Sequence, residues 1–354
     1  DPDTIRCDLD SLYRPGFRGV ITYGSLLGLD SVPRIVKEKG FEVVIMGVWI
    51  DTDTAANAQG VANAIAQKEH VDGYCVGNEV LLFGYQDTTY LDSLMQVVRD
   101  STGKPVTTSE HVTLYLDSPY SHWLFREGDW VFPIVNPTDN GKTDPALGRD
   151  WVREQFDTLV SLSPGKPVLV KECGWPTSSD SAPDTVWANE VNQWQYFTML
   201  DTLRDTTNFR FCYFEAFDQY WKTHAPTQPY WGLFGRDRVP KKYIRERPCQ
   251  VEREEDRPTP RTRAFSCQGL PNPFSQFAVI HYRLGVAQAV SLKIYDITGS
   301  TVRVLETENR KPAGCYTVCW DSRDDQGSEV PSGAYFCRLG AGSSNDTEKL
   351  ILLR

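Results

Sequence analysis

Short apolar segments alternate with helical stretches from residue 17 to about residue 218, and this alternation constrains the fold most. The segments recur roughly every 25 to 35 residues, the spacing of βαβ units with a parallel sheet. Several are continuous runs of Val and Ile, which is typical of strands buried on both faces. The predicted strands are residues 17–24, 41–50, 71–77, 105–108, 130–135, 167–171 and 210–217.

Helical periodicity fills the intervals between these strands. The predicted helices are residues 5–12, 57–68, 90–99, 150–162 and 190–203, with another that begins at Pro33 and stops at Gly40. The prediction is an α/β fold, a (β/α)8 TIM barrel of residues 1–243 that lacks its first strand. The strands 17–24 and 210–217 are then expected to flank a gap or to pair abnormally. The start at Asp1, without an initiator Met, fits a processed product or a fragment.

The composition changes after residue 243. Residues 244–269 are rich in charge and proline, which is typical of a linker. Residues 270–354 show period-two segments at 278–284, 289–296, 315–320 and 334–339, which predict a small all-β Ig-like sandwich. Cys315 and Cys319 share one strand face and Cys337 lies on a later strand, so a structural thiol or a disulfide is expected there rather than a metal site.

The overall composition excludes several function classes. A formal net charge of −10 argues against nucleic acid as a partner, and no apolar run is long enough to predict a membrane span. The five histidines form no HExxH or HxH pair, so neither a metal nor a cofactor is expected. Nine cysteines is an odd number, so at least one is expected to be unpaired or intermolecular. Most of the ten tryptophans are expected to fill the core, and some suit stacking on sugar rings.

Two glutamates follow apolar runs in distinctive settings. Glu79 lies in the segment VGNEV (76–80), and Glu172 opens the segment ECGWP (172–176). Each is expected at the C-terminal tip of a strand, where a (β/α) barrel collects its catalytic groups. A glycosidase needs one carboxyl to protonate the leaving oxygen and a second to attack the sugar or activate water. The pair therefore predicts a glycosidase, the alternative being two rim carboxylates in ion pairs.

Alternation along the strand before Glu172 predicts where its side chains point. Val168, Val170 and Glu172 share one parity and are expected to face the barrel interior. Lys171 is then expected to point outward towards the helices, where it can snorkel. No function is assigned to it.

The chain from Ile5 to about Tyr243 resembles glycoside hydrolase family 17, the β-1,3-glucanases, in its bacterial form. The resemblance is carried by residues 76–80, 172–177, 213–218, 221–222 and 230–234. It implies a retaining enzyme with Glu79 as general acid/base and Glu172 as nucleophile.

The resemblance and the neighbouring polar and aromatic residues also give candidate substrate contacts. They are Tyr23, Asn78, Glu110, Trp175, Glu215, Asp218, Gln219, Trp221 and Lys222, with Trp231 as a further stacking candidate. Asn78 is expected to bond the sugar 2-OH, with a turn-forming role as the alternative, and any of the tryptophans can instead pack a loop. Ile21 replaces a family Arg. Gln219 replaces a family Glu, and its neutral amide can bind a hydroxyl but cannot shift the pKa of a neighbour by charge. Residues 136–137 stand where a His-containing loop is usual, so the subsites there are expected to differ.

Residues 270–354 resemble the Ig-like sorting domain of type IX secretion in Bacteroidetes-type bacteria, which is related to the flagellar-hook-capping Ig module. The carriers are residues 271–274, 292–299, 320–321 and 332–336. The resemblance implies export and attachment through the secretion and cell-surface machinery.

The sequence as a whole predicts a secreted or cell-surface retaining glycoside hydrolase. It would cleave β-1,3-glucan polysaccharide or oligosaccharide by double displacement. Two alternatives stay open. In a transglycosylase, a sugar hydroxyl would intercept the same covalent intermediate, and a non-catalytic surface protein would only bind the glycan.

Overall fold

The chain divides into two compact units, residues 1–238 and 239–354. The computed structural model describes residues 2–179, 186–246, 265–270, 273–274, 278–284, 286–311, 314–342 and 344–353. No helix within these ranges is long and apolar enough to cross a membrane. The same ranges contain no group of His, Cys, Asp and Glu side chains that could hold a metal ion.

The first unit alternates helices with short strands. Its strands are β1 (Gly19–Ile21), β2 (Val43–Val48), β3 (Gly73–Asn78), β4 (Val106–Ser109), β5 (Val170–Gly174) and β6 (Phe211–Phe214). Its helices are α1 (Pro2–Tyr13), α2 (Val32–Glu38), α3 (Thr54–Ala66), α4 (Thr88–Thr102), α5 (Val112–Leu116), α6 (Ser121–Glu127), α7 (Pro145–Leu162) and α8 (Glu190–Thr206). The predicted helices are present, and most of the predicted strands are present but shorter.

Parallel pairing runs through this unit in chain order. β1, β2, β3 and β4 form one sheet, and β5 pairs with β6. Residues 130–135, predicted as a strand, form isolated bridges that connect the two sheets. Ile134 bridges both His111 and Glu172 in the parallel sense. Within the described ranges, neighbouring strands of each sheet of this unit are therefore consecutive in the chain and parallel.

A further extended segment, residues 231–234, lies beside the end of β6. Leu233 donates its backbone N–H to the carbonyl of Glu215, and Phe217 forms a parallel bridge with Phe234. Within the described ranges, β1 has its ladder partner in β2 alone. The missing first barrel strand stays a prediction.

Asp and Asn side chains cap the N-termini of the long helices. Asp53, Asp87, Asp144 and Asn189 accept hydrogen bonds from backbone N–H groups in the first turns of α3, α4, α7 and α8. These caps pair N–H groups that the helix itself leaves unbonded. Each helix therefore starts at a defined residue after the loop that precedes it.

The central strands are buried on both faces. Val44, Met46 and Val48 of β2 are buried together with the intervening Ile45, and every residue of β3 is buried. Successive side chains of a strand point to opposite faces, so both faces of the sheet must be covered.

The second unit is an antiparallel two-sheet structure. Its elements are α9 (Lys242–Glu246), β7 (Phe265–Leu270), β8 (Ala278–Leu284), β9 (Gln288–Tyr295), β10 (Thr301–Lys311), β11 (Gly314–Trp320), β12 (Gly333–Ala341) and β13 (Ser344–Leu352). One sheet has the order β10-β9-β12-β13 and the other β11-β8-β7. Val290, Leu292 and Ile294 alternate along β9 on the buried face, in one core with Trp320.

The structure corrects the sequence prediction for this unit in three strands. Residues 244–269 were predicted as a linker, but α9 overlaps the start of this stretch and most of β7 lies at its end. Residues 247–264 lie outside the described ranges. β10 and β13 were not predicted because polar side chains dilute their period-two pattern. Cys337 is buried on β12. The side chains of Cys315 and Cys319 on β11 lie outside the description, so their pairing stays a prediction.

Candidate active site

Glu79 follows β3 in a tight turn. Gly77 and Glu79 have φ angles of 86° and 56°, both in the left-handed region. A Cβ at Gly77 would lie 2.8 Å from Cγ2 of Val80, so the position requires glycine. Glu79 adopts the left-handed conformation without being glycine, which costs about 1–3 kcal/mol. The N–H of Glu79 donates to the carbonyl of Ser109 at 2.8 Å, which ties the turn to the end of β4.

The Glu110 carboxyl group stabilises the same turn through hydrogen bonds to its backbone. Its side chain is 0% exposed, and its two oxygens accept the backbone N–H groups of Leu81 at 2.8 Å and Leu82 at 3.3 Å. Burial raises the pKa of Glu110 to about 7, against the opposing effect of these N–H groups. That Glu110 contacts substrate stays a prediction; in the structure its carboxyl group is enclosed and binds the backbone.

Replacing Glu110 by glutamine is expected to destabilise the protein by about 1–3 kcal/mol, because an amide has one acceptor oxygen for the two N–H groups. Turnover should fall as well, since the turn that holds Glu79 loosens. Asp87→Asn is the matched control, because asparagine also caps helices well. Chemical denaturation would measure both variants. A free energy of unfolding unchanged in Glu110→Gln would contradict this role.

Glu172 lies on β5, buried against Tyr23. The Tyr23 hydroxyl donates to Oε1 of Glu172 at 2.9 Å. Burial and the charge of Glu172 raise the pKa of Tyr23, so the phenol keeps its proton and remains a donor. Tyr23, predicted as a substrate contact, thus lies against the predicted nucleophile.

Lys171 also reaches this site, opposite to the sequence expectation. Its side chain is 1% exposed, and Nζ lies 3.7 Å from Oε1 of Glu172 and donates to Oδ1 of Asn78. The pairing of β5 with β6 shifts register between Val170 and Cys173. A bulge of this kind breaks the alternation of side chains, so neighbouring residues can point to one side.

The surroundings of Glu79 favour the protonated form of its carboxyl group. Burial raises the pKa of Glu79 to about 7, and the negative charges of Glu172, Glu110 and Asp139 add to the rise, while Lys171 opposes it. Glu79 therefore holds a proton well above the usual range of a glutamate. An acid beside a potential nucleophile is the arrangement that a glycosidase uses.

Two residues that the sequence analysis did not assign contribute to this site. Burial, and secondarily the charge of Glu172, raises the pKa of Asp139 to about 6, while a hydrogen bond with Asn136 opposes the rise. Asn136 also accepts the N–H of Gly174 at 3.0 Å, which holds the residues after Glu172. In the sequence, the Asn-Pro pair at 136–137 was the feature that could have pointed to these two residues.

Glu215, Gln219 and Lys222 form a second polar cluster. Lys222 Nζ donates to Oε2 of Glu215 at 2.8 Å, and Gln219 Nε2 donates to the same oxygen. Burial raises the pKa of Glu215 to about 7, although Lys222 opposes the rise. Oε1 of Glu215 is buried and has no hydrogen-bond partner in the described part of the chain.

The remaining candidate substrate contacts differ in how far their side chains are exposed. Trp221 is 75% exposed, whereas Trp175 is 0% and Trp231 1% exposed. Trp175 and Trp231 are therefore packed in the interior, as the alternative for the tryptophans holds. Of the three, Trp221 has an exposed ring that could stack on a sugar. Asp218 is buried and accepts the N–H of Gly232 at 3.0 Å, so its visible role is structural.

The unit that carries both glutamates matches a known protein family. Residues 1–232 fit the model of the BtgE/BtgC glycoside hydrolase domain. The chain belongs to the BtgE/BtgC glycoside hydrolase family. Residues 276–344 match the FlgD Ig-like domain, which confirms the predicted Ig-like module.

Two curated fungal proteins are similar to the BtgE/BtgC domain. The protein named "Probable beta-glucosidase btgE" of Aspergillus fumigatus is 25% identical over 246 residues, which cover 66% of this chain and 42% of that protein. The "Glucan 1,3-beta-glucosidase" of Arthroderma benhamiae is 23% identical over 239 residues, covering 62% of this chain and 76% of that protein. The chain thus matches about two fifths of the length of the Aspergillus relative.

Solved structures share the fold of the BtgE/BtgC domain. An active-site mutant of the beta-1,3-glucanosyltransferase of Rhizomucor miehei, in complex with laminaritriose, has a TM-score of 0.59 at 24% identity, over 69% of this chain and 91% of that chain. An endo-laminarinase from Formosa has a TM-score of 0.59 at 18% identity, over 66% and 78% of the two chains. The BtgE/BtgC domain therefore shares the fold of these two solved structures.

Proposed function

We propose that the BtgE/BtgC domain hydrolyses β-1,3-glucan with retention, using Glu172 as nucleophile and Glu79 as general acid/base. The observation that carries the proposal is the unequal setting of the two carboxyl groups. The pKa of Glu79 is raised to about 7, whereas Glu172 receives the Tyr23 hydroxyl and lies near the Lys171 ammonium. The curated relative named for glucan 1,3-beta-glucosidase supports the substrate class.

In the first step, a carboxylate oxygen of Glu172 attacks C1 of the sugar. The bond from C1 to the glycosidic oxygen breaks, and that oxygen takes the proton of Glu79. A glycosyl ester on Glu172 and an ionised Glu79 result.

In the second step, Glu79 takes a proton from water as the water oxygen attacks C1. The ester bond breaks and the Glu172 carboxylate returns. Two inversions at C1 give net retention.

Sugar contacts are proposed on both sides of the carboxyl pair. Lys222, whose side chain is 14% exposed and pairs with Glu215, would donate to a sugar hydroxyl. The exposed ring of Trp221 would stack on a sugar face. Asn78 would bond the 2-OH, a contact that strengthens in the transition state.

Product analysis with laminarin-type oligosaccharides tests the proposal. Shorter oligosaccharides that form with retained configuration are expected. Products longer than the substrate would instead show transfer to a sugar hydroxyl, and binding without any product would support the glycan-binding alternative. Inverted products would contradict the double displacement.

A bell-shaped pH dependence of kcat/KM is expected. Glu79 must be protonated at the start, so activity should fall as pH rises through its pKa of about 7. Attack on C1 requires a nucleophile in its carboxylate form, so activity should also fall in acid. Initial rates in constant-ionic-strength buffers would measure the profile. A kcat/KM that stays constant far above pH 7 would contradict the role of Glu79.

Export is proposed for the FlgD-like module. It matches the Ig-like domain related to hook capping, and its resemblance to type IX sorting domains supports a secreted or surface location. Deleting residues 270–354 is expected to abolish export while turnover per molecule changes by less than tenfold, or about 1.4 kcal/mol in the barrier. Cell fractionation and rates on purified protein would test both points. Unchanged export would contradict the sorting role.

A further inference from the structure

A buried lysine connects the two carboxyl groups of the site. Nζ of Lys171 donates to Oδ1 of Asn78, lies 3.7 Å from Oε1 of Glu172 and lies 4.3 Å from the ring centroid of Tyr23. An ammonium group removed from water requires charged or hydrogen-bonding partners. The arrangement around Lys171 meets this requirement with groups of the site itself.

The ammonium also decides the orientation of the Asn78 amide. A lysine side chain has three N–H donors and no acceptor. It must therefore face the carbonyl oxygen of Asn78 and not the NH₂ group. The NH₂ group is then turned to the other side, where Nδ2 lies 3.5 Å from Oε2 of Glu79.

Lys171 acts within a cluster of acidic groups. The titratable groups that interact electrostatically with Lys171 are Glu79, Glu110, Glu172, Cys75 and Cys212. Asp139 in turn acts on Glu79. The ring of Tyr23 lies under the Lys171 ammonium group. The other lysine of the site, Lys222, pairs with Glu215. Lys171 is thus a buried cation that acts on both Glu79 and Glu172.

We propose that Lys171 is a positioning residue that serves both carboxyl groups at once. It holds the Asn78 amide with its NH₂ group towards Glu79, and it stabilises the Glu172 carboxylate. This inference rests on the proposed function for its catalytic meaning. Its structural content, the coupling of Lys171 to Glu79, can be tested without any substrate.

Titration of glutamate carboxyl carbons by ¹³C NMR measures that coupling. In Lys171→Met, the pKa of Glu79 is expected to rise by about 1 to 3 units, because a nearby positive charge favours the carboxylate. Lys171→Arg keeps the charge and should leave the pKa of Glu79 near that of the unchanged protein. Lys166→Met is the matched control, since Lys166 donates to the backbone carbonyls of Phe125, Arg126 and Gly128 instead.

The pH profile supplies a second readout. The alkaline limb of kcat/KM in Lys171→Met should move to higher pH by the same amount, and kcat at the optimum should fall at least tenfold. A merely structural lysine would lower the rate without moving the limb. An unchanged Glu79 titration in a folded Lys171→Met protein would overturn the proposal.

A measurement on the unaltered protein covers the case in which Lys171→Met fails to fold. The ¹⁵Nζ resonance of Lys171 should shift as Glu79 titrates, and a resonance that ignores this titration would overturn the proposal. Absence of activity on glucans would contradict the proposed function alone, because both NMR readouts are independent of turnover.

Discussion

Replacing Glu172 by alanine is expected to lower kcat on β-1,3-glucan oligosaccharides by about 100,000-fold, comparable to the loss of other enzymic nucleophiles. The barrier would rise by about 7 kcal/mol. The physical reason is the loss of the group that forms the bond to C1, since Tyr23 and Lys171 would then have no carboxylate to stabilise. Steady-state kinetics with a laminarin-type oligosaccharide would measure the effect.

Two controls separate lost chemistry from lost structure in Glu172→Ala. Glu69→Ala removes an exposed carboxyl just before β3, at the opposite end of that strand from Glu79, and should leave kcat unchanged. Adding azide to Glu172→Ala should restore turnover and give a glycosyl azide of inverted configuration, because azide then attacks directly in place of the carboxylate. A Glu172→Ala protein with kcat within tenfold of the unchanged protein would contradict the assignment.

Replacing Glu79 by alanine is expected to slow hydrolysis of glucan by about 100- to 10,000-fold, the usual contribution of a general acid. An activated aryl glycoside should be affected less in its first step, because its leaving group departs without protonation. The alkaline limb of the pH profile should disappear, because the group whose pKa is raised to about 7 is gone. Rates for the two substrates and the pH profile of the variant would measure these effects.

Asn78→Ala is the matched control for Glu79→Ala. It changes the neighbouring residue and removes a sugar contact, so it should slow both kinds of substrate by similar factors and keep the alkaline limb. Equal losses on glucan and on aryl glycosides in Glu79→Ala would contradict its role as general acid.

The strand-helix alternation was predictable because burial of parallel strands on both faces leaves a strong apolar signal. The fully buried residues of β3 are an example. The strands β10 and β13 were missed because polar side chains dilute their period-two pattern. β7 was missed because it follows a long charged and proline-rich stretch.

The positions of candidate residues near strand ends were predictable, whereas contacts decided by packing were less so. Glu79 and Glu172 stand out in sequence. The inward position of Lys171 depends on a register shift between β5 and β6, which no single-strand pattern encodes. Likewise, only the fold shows that Glu110 binds backbone N–H groups and that Trp175 is enclosed.

Trapping of the glycosyl-enzyme intermediate tests the central claim most directly. The protein would be incubated with a 2-deoxy-2-fluoro β-1,3-linked glucoside that carries an activated leaving group, because the fluorine slows the second step more than departure of an activated leaving group. Peptide mass spectrometry of the digested protein is expected to place a single fluoroglycosyl group on Glu172, with none in Glu172→Ala. A label on another carboxyl group, or hydrolysis of natural glucan with inverted configuration, would contradict the account.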